Sequence, residues 1–208
     1  MNLIQSSLNL VRENKKSYLT LNILYYGLVA VFMGVVAFMP EVQNQLLATV
    51  GSSFNSGPLA YVGQAYVNAE LLKAVALTFL VNLFMASLLY ITLPSLIIPF
   101  SGLLLGVSRA IIWGLLFSPV NPDLRLLMIP HSLTLILEGQ AYILVMFGAF
   151  LQGKAFLWPK SAGVEGHGRG YIEGLKRSGK IYILVIITLL ISAIYEVLEV
   201  VLMSKLMG

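Results

Sequence analysis

The chain has 208 residues, 58% of them hydrophobic and 11% charged, with mean hydropathy +0.88 and a net charge of +4. A soluble domain carries about 25% charged residues, so this composition reads as a polytopic membrane protein and leaves no length for a separate soluble catalytic domain. The positive balance fits basic loops at a membrane face and not nucleic acid, and the absence of cysteine excludes disulfides and thiolate metal sites.

Leu3, Ile4, Leu8 and Val11 fall on one face at helical spacing, and Arg12, Lys15 and Lys16 follow. That pattern predicts a short helix lying on the inner membrane surface. The first span is expected from Leu19 to Met39, where about 20 residues at 1.5 Å each cross the roughly 30 Å hydrocarbon core. It is too long for the apolar region of a signal peptide, and no A-x-A site follows it. Pro40 stops it. Residues 41–68 form the longest outer connection, with turn material at Gly51-Ser52-Ser53 and Asn55-Ser56-Gly57-Pro58. Val42 to Val50 and Leu59 to Val67 are expected as short helices along the membrane.

The second span is expected from Glu70 to Ile91 and holds Thr78, Asn82 and Ser87. Pro94 marks a tight turn into a third span from Ile97 to Phe117, with Pro99 in its first turns, where a missing N–H costs little. Gly102 and Gly106 make a GxxxG pair in that helix, which lets another backbone approach closely. A short turn at Ser118 to Asp123 leads to a fourth span from Leu126 to Leu151. Gly153 to Lys180 reads as a polar, glycine-rich flexible loop with one helix from Tyr171 onward. The fifth span runs from Ile181 to Met203. No internal repeat suggests an inverted-repeat transporter.

Charge bias orients these spans. Arg12, Lys15 and Lys16 precede span one, and Lys154, Lys160, Arg169, Lys176, Arg177 and Lys180 precede span five. Five spans put both segments on one side, and the positive-inside rule makes that side cytoplasmic. The N-terminus is then inside and the C-terminus outside.

Spans three to five carry ionisable groups at bilayer depth, each costing roughly 2.5–3.5 kcal/mol on insertion scales. Counted from the outer ends at 1.5 Å per residue, Arg109 lies about 12 Å deep, His131 about 8 Å, Glu138 about 18 Å, Glu196 about 10 Å and Glu199 about 6 Å. His131 and Glu138 share one helix face, as do Glu196 and Glu199. With Asn82 they define a buried polar cluster. Two readings stay open. One is a chamber facing outward where carboxylates and an imidazole bind a cation or relay protons. The other is a structural network in which Arg109 pairs with Glu138 and His131 with a carboxylate. Three carboxylates against one arginine leave surplus negative charge, so at least one must be protonated, wet or cation-bound; Glu199 is the one closest to the interface.

An intramembrane hydrolase is not expected. HExxH is absent, the second histidine, His167, lies in the inner loop, and Ser132 beside His131 has no G-x-S-x-G elbow.

The order of parts resembles the stage II sporulation protein M family of bacterial and archaeal membrane proteins. The likeness rests on Val11-Arg12-Glu13-Asn14-Lys15-Lys16 ahead of span one, Asn82 in span two, the Gly102/Gly106 helix, Pro130-His131 with a following glutamate, and Glu196 near the end of the last span. In the family the glutamate comes about one turn after the Pro-His pair and a glycine often follows the histidine; here Ser132 follows and the glutamate is Glu138. The resemblance implies a non-enzymatic envelope component that works with other membrane or cell-wall proteins.

The expectation is therefore an all-α, polytopic transmembrane helix bundle, one integral membrane domain over residues 1–208, with about five spans and short interfacial helices. It is expected to lack catalytic residues, cofactors and metal ligands. Its expected partners are the lipid bilayer and either further copies of itself or other membrane and cell-wall proteins, in a cell membrane. The alternative is a small ion- or proton-coupled transporter or channel.

Overall fold

The computed structural model describes residues 2–207, which form helices and no strand. Met1 and Gly208 lie outside the described residues. Helix α1 (Leu3–Glu13) is opened by a capping box: Asn2 accepts from the Ile4 amide and Gln5 accepts from the Asn2 amide. Helix α2 (Lys15–Val35) ends in a 3₁₀ turn, Val36–Phe38. Helices α3 (Pro40–Ser53) and α4 (Pro58–Val67) each begin on a proline, whose fixed φ suits a first helical turn. These are the two short helices expected in the long connection.

Helix α5 (Leu71–Leu80) runs on through a wider π-helical stretch, Val81–Thr92, into α6 (Leu93–Ile97). Pro94 thus sits inside a continuous rod that extends beyond Ile91, and is not the turn. The turn is Ile98-Pro99-Phe100, and Phe100 takes a left-handed conformation with φ 68°. It is held there by its ring, which lies 6.2 Å from Phe150 and 6.1 Å from Trp158. Helix α7 (Ser101–Leu116) is therefore shorter than the expected span 97–117. Its 16 residues reach about 24 Å, less than the roughly 30 Å core. Among the described residues, four helices are long and apolar enough to cross a membrane: Lys15–Phe38, Leu71–Ile97, Met128–Leu157 and His167–Lys205. Helix α7 is a shorter apolar helix packed among them.

After α8 (Pro122–Arg125) comes α9 (Met128–Leu157), the axis of the bundle. Of its most apolar stretch 72% is buried, against 22–33% in the other three spanning helices. Small residues let its neighbours come close, as membrane helices require in the absence of a hydrophobic drive between them. Gly139 faces the Tyr26 ring, Gly148 faces Ser178, and Gly153 faces the Phe100 ring.

The expected flexible loop from Gly153 to Lys180 is the largest departure. Helix α9 continues to Leu157, a 3₁₀ turn spans Pro159–Ala162, and α10 (His167–Met207) then runs unbroken for 41 residues. Its glycines are packing positions. A Cβ on Gly174 would lie 2.8 Å from the Gln152 carbonyl oxygen, and Gly170 is pressed against the Ala155 carbonyl. Gly170, Gly174 and Ser178 repeat every fourth residue and form the face that seats α10 on α9. At about 60 Å, α10 is twice the core thickness, and its basic first turns pack on the C-terminal end of α9 and the 3₁₀ turn, where Arg177 donates to the Ala162 carbonyl (3.1 Å). There Ser7 of α1 donates to the Lys180 carbonyl (2.6 Å), which gathers α1 and the cationic part of α10 at one end.

Candidate functional site: a polar chamber under the α3–α4 hairpin

Gathering starts on α9. His131, Thr134, Glu138 and Tyr142 recur every three or four residues and form one polar stripe along a mostly apolar helix. Opposite it, the π-helical stretch begins at Val81, so the backbone widens where Asn82 enters the site. Ser87 donates back to the Asn82 carbonyl five residues earlier (2.8 Å), which serves the wider hydrogen-bond spacing.

Asn82 joins two residues of the stripe. Its Nδ2 donates to Glu138 Oε1 (2.6 Å), and its Oδ1 accepts from the Tyr142 hydroxyl (2.8 Å). The Tyr142 oxygen in turn accepts from Arg109 Nη2 (2.8 Å). The guanidinium carbon lies 4.1 Å from the Tyr142 ring centre and 5.2 Å from that of Trp113, so ring faces compensate part of its charge. The expected direct pairing of Arg109 with Glu138 does not occur. The ion pairs among the described residues are Lys73–Glu70, His131–Glu199 and Arg177–Glu173. Hydrogen bonds link Arg109 to Glu138 through Tyr142 and Asn82.

The expected pairing of His131 with a carboxylate does occur, and the partner is Glu199. His131 Nδ1 lies 2.9 Å from Glu199 Oε1, and Thr134 donates to Oε2 at 2.6 Å. Glu199 is 3% exposed, so the residue expected closest to the interface is an interior one. The Phe117 ring, 4.9 Å from the imidazole, closes the other side of His131.

Glu196, one turn before Glu199 on α10, lines the same cavity as Glu138. Two ionised carboxylates offer acceptors only. A proton or a cation between them relieves the repulsion of two such groups in one buried cavity.

These groups line a cavity of about 180 Å3. Asn82, Arg109, His131, Glu138 and Glu196 all reach it, so the structure brings together five of the six members of the expected cluster, with Glu199 directly behind His131. Its roof is the α3–α4 hairpin, which contributes Phe54, Leu59 and Val62. The hairpin is fastened at two points. Gln43 donates to the carbonyls of Leu116 (3.0 Å) and Ser118 (2.9 Å), and the Tyr66 hydroxyl meets Thr78 at 3.3 Å. Burial, then the neighbouring Glu196, pushes the Tyr66 hydroxyl upward in pKa, so it stays a neutral group above the carboxyl pair.

The glycine pair of α7 splits between two neighbours. Gly102 meets the α6 rod, with Ser95 Oγ accepting from the Gly102 amide at 2.6 Å, whereas Gly106 faces Met146 of α9. Thr134 and Tyr142 are site residues that the sequence reading did not select. Among the described residues, no three His, Asp or Glu side chains converge as metal ligands would. No protein-family model, curated protein or solved structure matches the chain.

Proposed function

We propose that this is a non-enzymatic, multi-pass membrane protein whose central chamber holds one exchangeable proton or small monovalent cation between Glu138 and Glu196. The observation that carries this reading is the adjacency of the two carboxyls in a roofed cavity while the nearest guanidinium is bonded to Tyr142. A purely structural network would set Arg109 against Glu138. The carboxylate oxygens of Glu138 and Glu196 suit a proton or a hard monovalent ion.

In this reading the basic end is cytoplasmic, the hairpin roof and the C-terminus lie outside, and the membrane is the cell membrane. Arg12, Lys15, Lys16, Lys154, Lys160, Arg169, Lys176, Arg177 and Lys180 support that orientation through the positive-inside rule. The test is proton release. Adding Na⁺ or K⁺ to purified protein in weakly buffered detergent should liberate up to one proton per chain, and Glu138→Gln with Glu196→Gln should abolish it. No release from wild type at any cation concentration refutes the exchange site.

A second reading, an assembly component like the stage II sporulation protein M family, is favoured by the roof itself. Tyr61 and Val67 of α4 are 64% and 86% exposed, apolar groups set where a second copy or another envelope protein can reach them. Loss of a co-purifying partner in Tyr61→Asp and Val67→Asp, with proton release unchanged, would support it.

A further inference from the structure

Next to the chamber lies a larger groove of about 630 Å3 between the π-helical stretch and α7, capped by Val50, Ser53, Ser56 and Leu59 of the α3–α4 hairpin. Away from the two serines its outer walls are apolar. Met85, Tyr90 and Ile112 are each 40–44% exposed, so the groove opens on the lateral surface of the bundle. At its inner wall stand Arg109, Asn82 and Trp113. No acidic side chain lines it among the described residues, and the carboxyls face the smaller cavity instead.

Arg109 is thus shared between two spaces, and its hydrogen bonding is incomplete. One nitrogen bonds to Tyr142, Nε has no partner, and no carboxylate lies within ion-pair distance. A guanidinium offers five donors in a fork that matches phosphate oxygens. At membrane depth an arginine of this kind calls for an anion. Besides the carboxyl-lined cavity, the space open to it is the groove, and what fills a lateral groove in a bilayer is lipid.

We propose that this groove binds an anionic phospholipid, with its phosphate against Arg109 and an acyl chain along Met85, Tyr90 and Ile112. The charge complementarity commits the site to an anionic headgroup over a zwitterionic one. The assignment uses Arg109 and the groove alone, so it stands whether or not the carboxyl pair exchanges a proton.

The chain has two tryptophans, Trp113 in the groove wall and Trp158 at the opposite end. Trp158→Phe therefore leaves a single reporter beside the site. In phosphatidylcholine vesicles doped with bromine-labelled phosphatidylglycerol or bromine-labelled phosphatidylcholine, Trp113 should be quenched preferentially by the glycerol lipid. The expected association constant is about tenfold higher, the scale of one partly desolvated charged contact. Arg109→Gln should reduce the preference to near unity and Arg109→Lys should retain most of it. Ile112→Phe, which crowds the groove and leaves Arg109 in place, should lower quenching by the glycerol lipid and keeps the test open if Arg109→Gln fails to fold. Equal quenching by the two lipids in the Trp158→Phe protein overturns the proposal. So does a preference that survives Arg109→Gln, or quenching unchanged by Ile112→Phe.

Discussion

Asn82→Leu removes the one side chain that holds Glu138 and Tyr142 together. Leucine nearly matches asparagine in shape, so the loss is polar and not steric. Two interhelical hydrogen bonds disappear, of 2.6 and 2.8 Å. Each such bond in a membrane protein contributes about 0.6 kcal/mol on average and at most about 1.7, so the substitution should cost about 1–3 kcal/mol. Unfolding by sodium dodecyl sulfate from mixed micelles, followed by far-UV circular dichroism, measures it. Tyr142→Phe removes one of the same two bonds and also strips Arg109 of its acceptor. The double-mutant cycle of Asn82→Leu with Tyr142→Phe should therefore show a coupling of about 0.5–1.5 kcal/mol. Additive effects within about 0.3 kcal/mol, or a neutral Asn82→Leu, would refute the relay from Arg109 to Glu138.

Three further outcomes follow from the packing and the topology. Gly174→Ala places a methyl 2.8 Å from the Gln152 carbonyl oxygen and should lower stability by about 1–3 kcal/mol, whereas Gly179→Ala, with nothing within 4 Å, should be neutral in the same thermal assay. Gly102→Ala meets the backbone oxygen of Ile91 at 2.6 Å and should cost more than Gly106→Ala, which meets only the flexible Met146 side chain; equal losses would show that α7 shifts as a rigid unit. Cysteine introduced at Ser56 should react with an impermeant thiol reagent from outside intact cells and cysteine at Ser161 should not, on a chain with no native cysteine; labelling of both from one side would reject the proposed orientation.

The helical class was legible because hydropathy reports lipid-facing surface, and long apolar runs leave few alternatives to spanning helices. Helix ends were less so. Leu93 to Ile97 reads equally as the end of one helix or the start of the next, and the decision rests on Phe100 adopting a left-handed turn against Phe150 and Trp158, which is a tertiary contact. The segment from Gly153 to Lys180 was misread because glycine content was taken as flexibility. Its spacing carried the opposite message, since Gly170, Gly174 and Ser178 recur every four residues as a small-residue helix face does. Axial depth placed His131, Glu138 and Glu196 within about 10 Å of one another along the bundle, but depth says nothing of rotation about the helix axis. Rotation decides that Arg109 meets Tyr142 and not Glu138. The signal for Tyr142 and Thr134 was present as the stripe 131, 134, 138, 142. The placement of the α3–α4 hairpin as a roof had no such signal, because it depends on Gln43 finding two carbonyls more than 70 residues away.

Infrared difference spectroscopy on the carboxyl stretch is the most direct test of the carboxyl pair as an exchange site. Wild-type protein in lipid, washed free of Na⁺ and K⁺, should show a protonated carboxylic acid band that shifts in D₂O. That band should be missing in the Glu138→Gln/Glu196→Gln protein and should decline as Na⁺ or K⁺ is added to wild type. A wild-type spectrum with no such band, or a band indifferent to both the substitutions and the cations, would contradict the account.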